Sequence, residues 1–332
     1  MIANIMKELL SERNSLLSSS LNPLPGSVPY NNYRPLNIPG RYDGYVLFDV
    51  VLDLFPHIDS EQWLRWFDLG HLQQDNNPVH PSRRVRGGES FQHLFPNTIE
   101  PAVNANIRWI WEDEDLVGLV KPAPLPVHPC GRFNRNTLTY FLDDVLGFHD
   151  LRLVHRLDAN TSGLMVLAKS AQAATNLRKQ FESGEVSKHY LARVIGHPDT
   201  ERLVCDAPIG RNRHDGGSRS VEATGQTAYT EFQVLKKFKD GTCLVSAKPK
   251  TGRTNQIRIH LWELGFPIVG DPTYRPKKNI QSKQTLDVDE PMMCLHAQTL
   301  GFLHPRSSES LRLNSELPAW ANETAEALSP SQ

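Results

Sequence analysis

The sequence predicts an α+β protein, with one large domain and a smaller module ahead of it. Three observations lead there. A chain of 332 residues with ordinary hydrophobic content is long enough to bury one large core and carry an appendage. Apolar runs of strand length and amphipathic stretches of helical spacing fill most of it, yet they do not follow the strict βαβ alternation of a doubly wound sheet. No internal repeat is visible, which sets aside solenoids and propellers.

Residues 1–44 are rich in Ser, Asn and Pro without sustained periodicity and are expected to be a flexible extension. Residues 45–104 are expected to form the small module. There Leu47, Val50, Val51 and Leu54 have helical spacing, Trp63, Trp66 and Phe67 mark a second amphipathic helix, and the run 82–89 looks like a strand entering a turn. The large domain is expected over 105–320, followed by a tail at 321–332. Within it, 116–120 reads as a buried strand ended by Lys121-Pro122, 137–146 as a helix begun by Asn136 or Thr137, 163–168 as an apolar strand and 171–181 as a helix. Residues 188–195 alternate as a strand does, with Tyr190, Ala192 and Val194 on one face. Strands at 228–235 and 243–248 flank Lys236-Lys237-Phe238-Lys239-Asp240-Gly241, a basic hairpin tip closed by Asp-Gly. A helix is expected over 254–264.

The formal net charge of −1 argues at first against a polyanionic partner, but the charge is unevenly spread. Residues 45–100 hold four Arg against eight acids, whereas residues 186–280 hold sixteen Lys and Arg against nine acids. The second half can therefore present a basic surface to phosphates. Cys130, Cys205, Cys243 and Cys294 are scattered without the paired spacing of a zinc or redox site, as free thiols of a reducing cytosol would be. No secretion signal and no bilayer-spanning run is evident, so the chain is expected to be cytoplasmic and without a membrane partner.

Two segments carry candidate chemistry. In His155-Arg156-Leu157-Asp158-Ala159-Asn160-Thr161-Ser162-Gly163-Leu164 a carboxylate stands in a polar turn just before an apolar strand, held at a rigid edge. An aspartate in such a place is, taken alone, an ordinary turn or cap residue. In Thr251-Gly252-Arg253-Thr254-Asn255-Gln256-Ile257-Arg258-Ile259-His260-Leu261, residues Ile257, Leu261 and Leu264 form a stripe that leaves Arg258 beside it, able to line a cleft. An arginine there can hold a carboxylate ionised, or make a common surface ion pair.

The run HRLDANTSGL resembles the signature of the RluA-type pseudouridine synthases. Further segments are similar in the same order: Lys121-Pro122-Ala123 with Val127-His128-Pro129, then Lys188, Tyr190, Ala192 and Val194, TGRTNQIRIHL, Pro267-Ile268-Val269-Gly270-Asp271, and Leu295-His296-Ala297 to His304-Pro305. The resemblance spans residues 115–305, and residues 45–95 resemble the small RNA-binding module that often precedes this domain. It implies a mixed, mainly antiparallel central sheet flanked by helices, with a small N-terminal α/β RNA-binding-like module. It also implies isomerisation of uridine to pseudouridine in tRNA or rRNA.

On that resemblance Asp158 is the nucleophile. Arg156 refills the space left by a flipped nucleotide, Tyr190 stacks on the uracil, Lys188 reaches the same pocket or a phosphate, and Arg258 pairs with Asp158. His155, Thr161 and Arg253 support them. The reaction needs neither metal nor organic cofactor, and a monomer is the default for an enzyme that wraps an RNA loop. Asn255, Ala159 and Pro124 depart from the usual family pattern and bear on pocket detail and RNA choice. Residues 126–133 resemble a branch that includes eukaryotic tRNA-modifying members. The alternatives are a catalytically silent RNA-binding or chaperone protein of the same fold, and a glycosidase, which would need a second carboxylate opposite Asp158.

Overall fold

The computed structural model describes residues 2–211 and 218–322. The expected tail lies mostly outside the described residues, at 323–332. The chain divides into two compact units, Gly26–Glu100 and the remainder.

Residues 2–20 are not the flexible extension expected of them. They form helix α1 (Ile2–Ser20), whose Leu17 joins Leu21 and partly buried Leu10 in a core cluster with Trp109 and Leu119. Leu10, Asn14, Leu17 and Leu21 make one helical stripe, with a polar residue in its middle that hides the period. Asn14 has a specific place: its Nδ2 donates to the Trp109 carbonyl at 3.0 Å and its Oδ1 accepts from the Trp109 amide at 2.7 Å.

Gly26–Glu100 is a unit of its own and begins well before residue 45. Strand β1 (Tyr30–Asn37) comes from the supposed extension and pairs antiparallel with the last strand of the unit. Between them lie α2 (Leu47–Leu54), α3 (Ser60–Asp68), β2 (Leu72–Gln74), β3 (Asn77–Pro78) and β4 (Ser90–Thr98), giving a four-stranded sheet in the order β1-β4-β2-β3. The two helices are where their spacing predicts them, and Leu47, Val50, Val51, Trp63 and Phe67 form the core with Leu36 and Phe91. The run 82–89 is not a strand. It makes a single bridge, Val46 to Arg84, and a turn at Gly88 with φ +88° before β4 begins.

The larger unit is built on a ten-stranded sheet. Its strands are β5 (Arg108–Glu112), β6 (Leu116–Lys121), β7 (Arg152–Leu153), β8 (Ser162–Ala168), β9 (Ser187–Ile195), β10 (Arg202–Cys205), β11 (Thr230–Lys237), β12 (Thr242–Pro249), β15 (Leu295–Leu303) and β16 (Ser310–Asn314). A separate small hairpin is made by β13 (Tyr274–Arg275) and β14 (Asn279–Ile280). The order is β10-β11-β12-β9-β15-β8-β6-β5, with β16 on β15 and β7 on β8. Every pairing described is antiparallel except β15 with β8, so the sheet is mixed and mainly antiparallel. Besides α1, it is flanked by α4 (Leu138–Tyr140), running into a π-helical turn over Phe141–Val145, α5 (Ala171–Ser183) and α6 (Gln256–Glu263). Thr137 caps the first through its side chain, which accepts from the Tyr140 amide at 3.3 Å.

Both faces of the sheet are covered near its middle. Leu164 and Val166 of β8 pack with Ala173, Ala174 and Leu177 of α5, while Met165 and Leu167 pack on the opposite side with Leu138, Phe141 and Leu17. Each of the Leu, Val, Met and Phe side chains taken fully out of water contributes about 1.5–3 kcal/mol. The same double covering corrects the one-face expectation for β9: Leu191 and Arg193 are buried alongside Ala192 and Val194. Among the described residues no helix is long and apolar enough to cross a membrane.

Candidate active site

The segment Val154–Thr161 runs into β8, and its end from Asp158 to Thr161 is fastened by hydrogen bonds. Thr161 N–H donates to the Asp158 carbonyl at 3.0 Å, closing a tight turn. Lys121 Nζ and the Leu125 amide both donate to the Ala159 carbonyl, at 3.1 and 2.9 Å. The Asn160 side chain donates to the Gln284 carbonyl at 2.7 Å and accepts from the Leu286 amide at 3.0 Å. Where the turn enters β8, Gly163 sits at φ +117° against β15, and a Cβ there would lie 2.4 Å from both N and O of Ala297. Only glycine permits that approach. The result is a carboxylate, Asp158, carried on a rigid turn with a quarter of its side chain exposed.

Arg258 faces Asp158 from α6. Its Nη1 lies 3.7 Å from Asp158 Oδ2, but its tighter partner is Asp271, which accepts from Nε and Nη2 at 2.8 and 2.7 Å. Asn255, in the left-handed region at φ 58°, starts the helix and accepts from Nη1 at 3.0 Å. The expectation that Arg258 stands beside a buried stripe is corrected. Every residue from Gln256 to Trp262 is buried, and the guanidinium is 3% exposed. Burial opposes the charge, and Asp271 and then Asp158 outweigh it, so the guanidinium is held protonated above its ordinary range.

Tyr190 and Lys188 stand two residues apart on β9, on the same face. Burial, and then the negative charge of Asp158, push the Tyr190 hydroxyl upward, so at neutral pH it is a phenol. Lys188 Nζ donates to the Thr251 carbonyl at 3.0 Å. Its burial and the neighbouring Arg253 lower its pKa. Arg253 donates through Nε to the Thr227 carbonyl at 3.0 Å. Thr161 is buried, and Arg156 is exposed at the surface. His155 accepts from the Val166 amide at 3.0 Å through Nε2 and stacks on Phe181 with ring centroids 4.6 Å apart. Burial, with Lys188 nearby, drops its pKa to about 3, so the ring is neutral and carries its proton on Nδ1.

These side chains converge. Asp158, Arg156, Lys188, Tyr190, Arg253 and Arg258 all line one cleft of about 660 Å³, with His155 and Thr161 in its wall. That volume falls within the range of small-molecule sites. The lining is strongly cationic, since Arg178 and Lys250 also face it, against Asp158 and Glu182. All eight candidates from the sequence are therefore brought together.

Two residues were not anticipated. Asp271 was visible only as part of a motif, and its pairing with Arg258 across thirteen positions has no local signal. Lys121 is fully buried below the turn and donates to the carbonyls of Pro122, Leu125 and Ala159 at 2.8, 2.9 and 3.1 Å. Burial lowers its pKa to about 7, opposed by Asp158. Three carbonyl acceptors require three N–H donors, which only the ammonium form has.

Comparison with known proteins bears on the family of the chain. A family model described as RNA pseudouridylate synthase matches residues 115–263, the span that holds the turn, β9 and α6. Ribosomal large subunit pseudouridine synthase D of Nitrosomonas europaea is 33% identical over 301 residues, covering 88% of this chain and 87% of that protein. The mitochondrial tRNA pseudouridine(32) synthase of Saccharomyces cerevisiae is 34% identical over 258 residues, 76% of this chain and 55% of that one. Among solved structures, human RNA Pseudouridylate Synthase Domain Containing 4 matches with TM-score 0.52 and 30% identity, over 64% of this chain and 89% of its own. With sequence kinship along most of its length and the shared sheet, this chain belongs to the RNA pseudouridylate synthase family and is an isomerase acting on RNA.

Proposed function

We propose that the protein converts specific uridines of ribosomal or transfer RNA to pseudouridine, with Asp158 as the reacting carboxylate. The observation that carries this is the meeting of Asp158, Tyr190 and Arg258 in one cationic cleft. In the reaction the bond from ribose C1′ to uracil N1 breaks, the ring turns, and C1′ joins C5, whose proton leaves while N1 gains one. Atoms balance within the substrate. The carboxylate works at the ribose, either by attack on C1′ or by assisting elimination to a glycal. A one-quarter exposed carboxylate on a fastened turn suits both routes.

A uridine within a folded RNA reaches Asp158 only after extrusion, at a cost of a few kcal/mol. Arg156, exposed at the cleft, fills the vacated space. Tyr190 offers the stacking face, a contact worth about 1–3 kcal/mol per base. Lys188, Lys250 and Arg253 are within reach of flanking phosphates. Arg258 orders Asp158, and His155, neutral and hydrogen-bonded to β8, supports the turn without exchanging protons. The choice of ribosomal and transfer RNA rests on the named activities of the Nitrosomonas and yeast relatives.

The test is pseudouridine mapping of total RNA from cells with and without the gene, followed by conversion of the mapped RNA by purified protein and by Asp158→Asn. The expected result is loss of defined sites in cells and no turnover by the variant, which keeps its melting temperature. An unchanged map with no activity on bulk tRNA or rRNA refutes the reading.

A further inference from the structure

Arg258 has two carboxylates within reach and treats them unequally. Asp271 takes two of its donors at 2.7 and 2.8 Å, whereas Asp158 stands off at 3.7 Å. Asn255 Oδ1 engages the same Nη1 that faces Asp158, and the Tyr274 ring lies 5.1 Å from the guanidinium carbon. The socket around Asp271 is itself built. Its Oδ1 also accepts from the Thr273 and Tyr274 amides at 2.8 and 3.0 Å, it is 1% exposed, and it follows Gly270, at φ +74°, where a Cβ would lie 2.1 Å from the Met292 carbonyl oxygen.

A buried arginine with no other counter-ion would draw the nearest carboxylate into direct, bidentate contact, the geometry that guanidinium and carboxylate favour. A carboxylate so held is a poorer nucleophile, with its pKa lowered. Asp271 takes the bidentate face first, and Asn255 occupies part of what remains. What reaches Asp158 is an orienting field.

We propose that Asp271 is a positioning residue that acts through Arg258: by occupying the guanidinium it keeps Asp158 aligned but uncaptured, free to approach the ribose. This rests on the reading of Asp158 as the reacting carboxylate. The charged and titratable groups that act on Asp158 are Arg258 from α6, Tyr190 from β9 and Lys121 from β6, and those that act on Asp271 are Arg258 and Tyr274. Neutralising Asp271 therefore reaches Asp158 through Arg258.

The experiment compares wild type, Asp271→Asn and Asn255→Gly on the RNA that wild type converts, across pH. Asn255→Gly keeps the left-handed backbone and removes the second acceptor together with the Asn255 Nδ2 donation to the Tyr274 hydroxyl at 3.3 Å. For Asp271→Asn the expected result is a fall in kcat of roughly tenfold or more with KM for the RNA held within about threefold. The acid limb of kcat/KM, which reports the free enzyme, moves to lower pH by about 1. Asn255→Gly moves it the same way by less. If circular dichroism shows Asp271→Asn unfolded, the limb of Asn255→Gly decides. An acid limb that stays in place or moves to higher pH in a folded variant overturns the inference, as does a parallel loss of kcat and RNA affinity. Activity retained by Asp158→Asn overturns both this and the reading beneath it, whereas an inactive Asp158→Asn with an unmoved limb overturns this alone.

Discussion

Gly163→Ala is the substitution that most directly tests how the active turn is held. The added methyl would sit 2.4 Å from the Ala297 nitrogen and oxygen and 2.8 Å from its carbonyl carbon, so β8 and β15 must part by about 1 Å to reach ordinary contact. That is the point where the two strands pair in parallel, through His296 with Ser162 and Ala297 with Gly163. An alanine forced to φ +117° costs about 1–3 kcal/mol, and overpacking a closed site adds about 1–3 kcal/mol. The sum is roughly 2–6 kcal/mol, equivalent to a fall in melting temperature of roughly 5–20 °C for a domain of this size. The displacement also carries Asp158, five residues upstream on the same turn, and a 1 Å misplacement of a reacting group lowers rate by about 10²-fold. Thermal melting by circular dichroism and single-turnover conversion of the mapped RNA measure both effects. A melting temperature within about 3 °C of wild type, with turnover within about twofold, would show that the strands absorb the methyl and that the close approach does not hold the site.

Tyr190→Ala is expected to reduce turnover far more than RNA binding, because the proposed role of Tyr190 is to stack on the extruded base alone; equal losses in single-turnover rate and in filter-binding affinity would place the residue in general RNA contact. Arg258→Ala should lose activity and also about 3–5 kcal/mol of stability, since it leaves Asp271 buried without its partner, and urea unfolding checks this. His155 contributes to acid sensitivity. Its folded pKa is about 3 against an ordinary 6.5, so as pH falls from 6.5 towards 3 the unfolded chain takes up a proton that the folded chain refuses. The stability it contributes is fully present above 6.5 and is lost through that window. His155→Asn, which cannot titrate there, should show a shallower loss of urea midpoint between pH 7 and 4; an identical slope would remove His155 from the account.

Much of the catalytic unit was legible because its strands are apolar on both faces and its turns use residues with a single conformational meaning. The run 163–168 is recognisable as a buried strand by content alone, and Asp240-Gly241 announces a hairpin that the structure turns at φ +81°. The eight candidate residues were legible as motifs, and the structure brings them to one cleft. Other features left no such trace. In β1 the buried positions Tyr30, Asn32 and Leu36 do alternate with exposed ones, but an asparagine stands where a hydrophobic residue would have revealed the period, and Pro35 argues against pairing. Helix α6 shows almost no amphipathic contrast, because Arg258 and His260 are buried by satisfying each charge or ring nitrogen with a named partner. Long-range polar pairing of this kind, as between Asp271 and Arg258, depends on three-dimensional closure.

The double hydrogen bond from Asn14 to Trp109 changes what the outermost strand offers to its surroundings. β5 ends the sheet, and such a margin normally recruits any extended chain that arrives. Here one carboxamide takes the place of a neighbouring strand at Trp109, presenting a donor and an acceptor from α1. The helix thus acts as a terminator of the sheet at Trp109, beside the charged Arg108 and Glu112 that β5 itself carries. A change as small as Asn14→Leu, which conserves size and strengthens the apolar stripe of α1, would reopen that margin and make self-association the first failing of an otherwise sound fold.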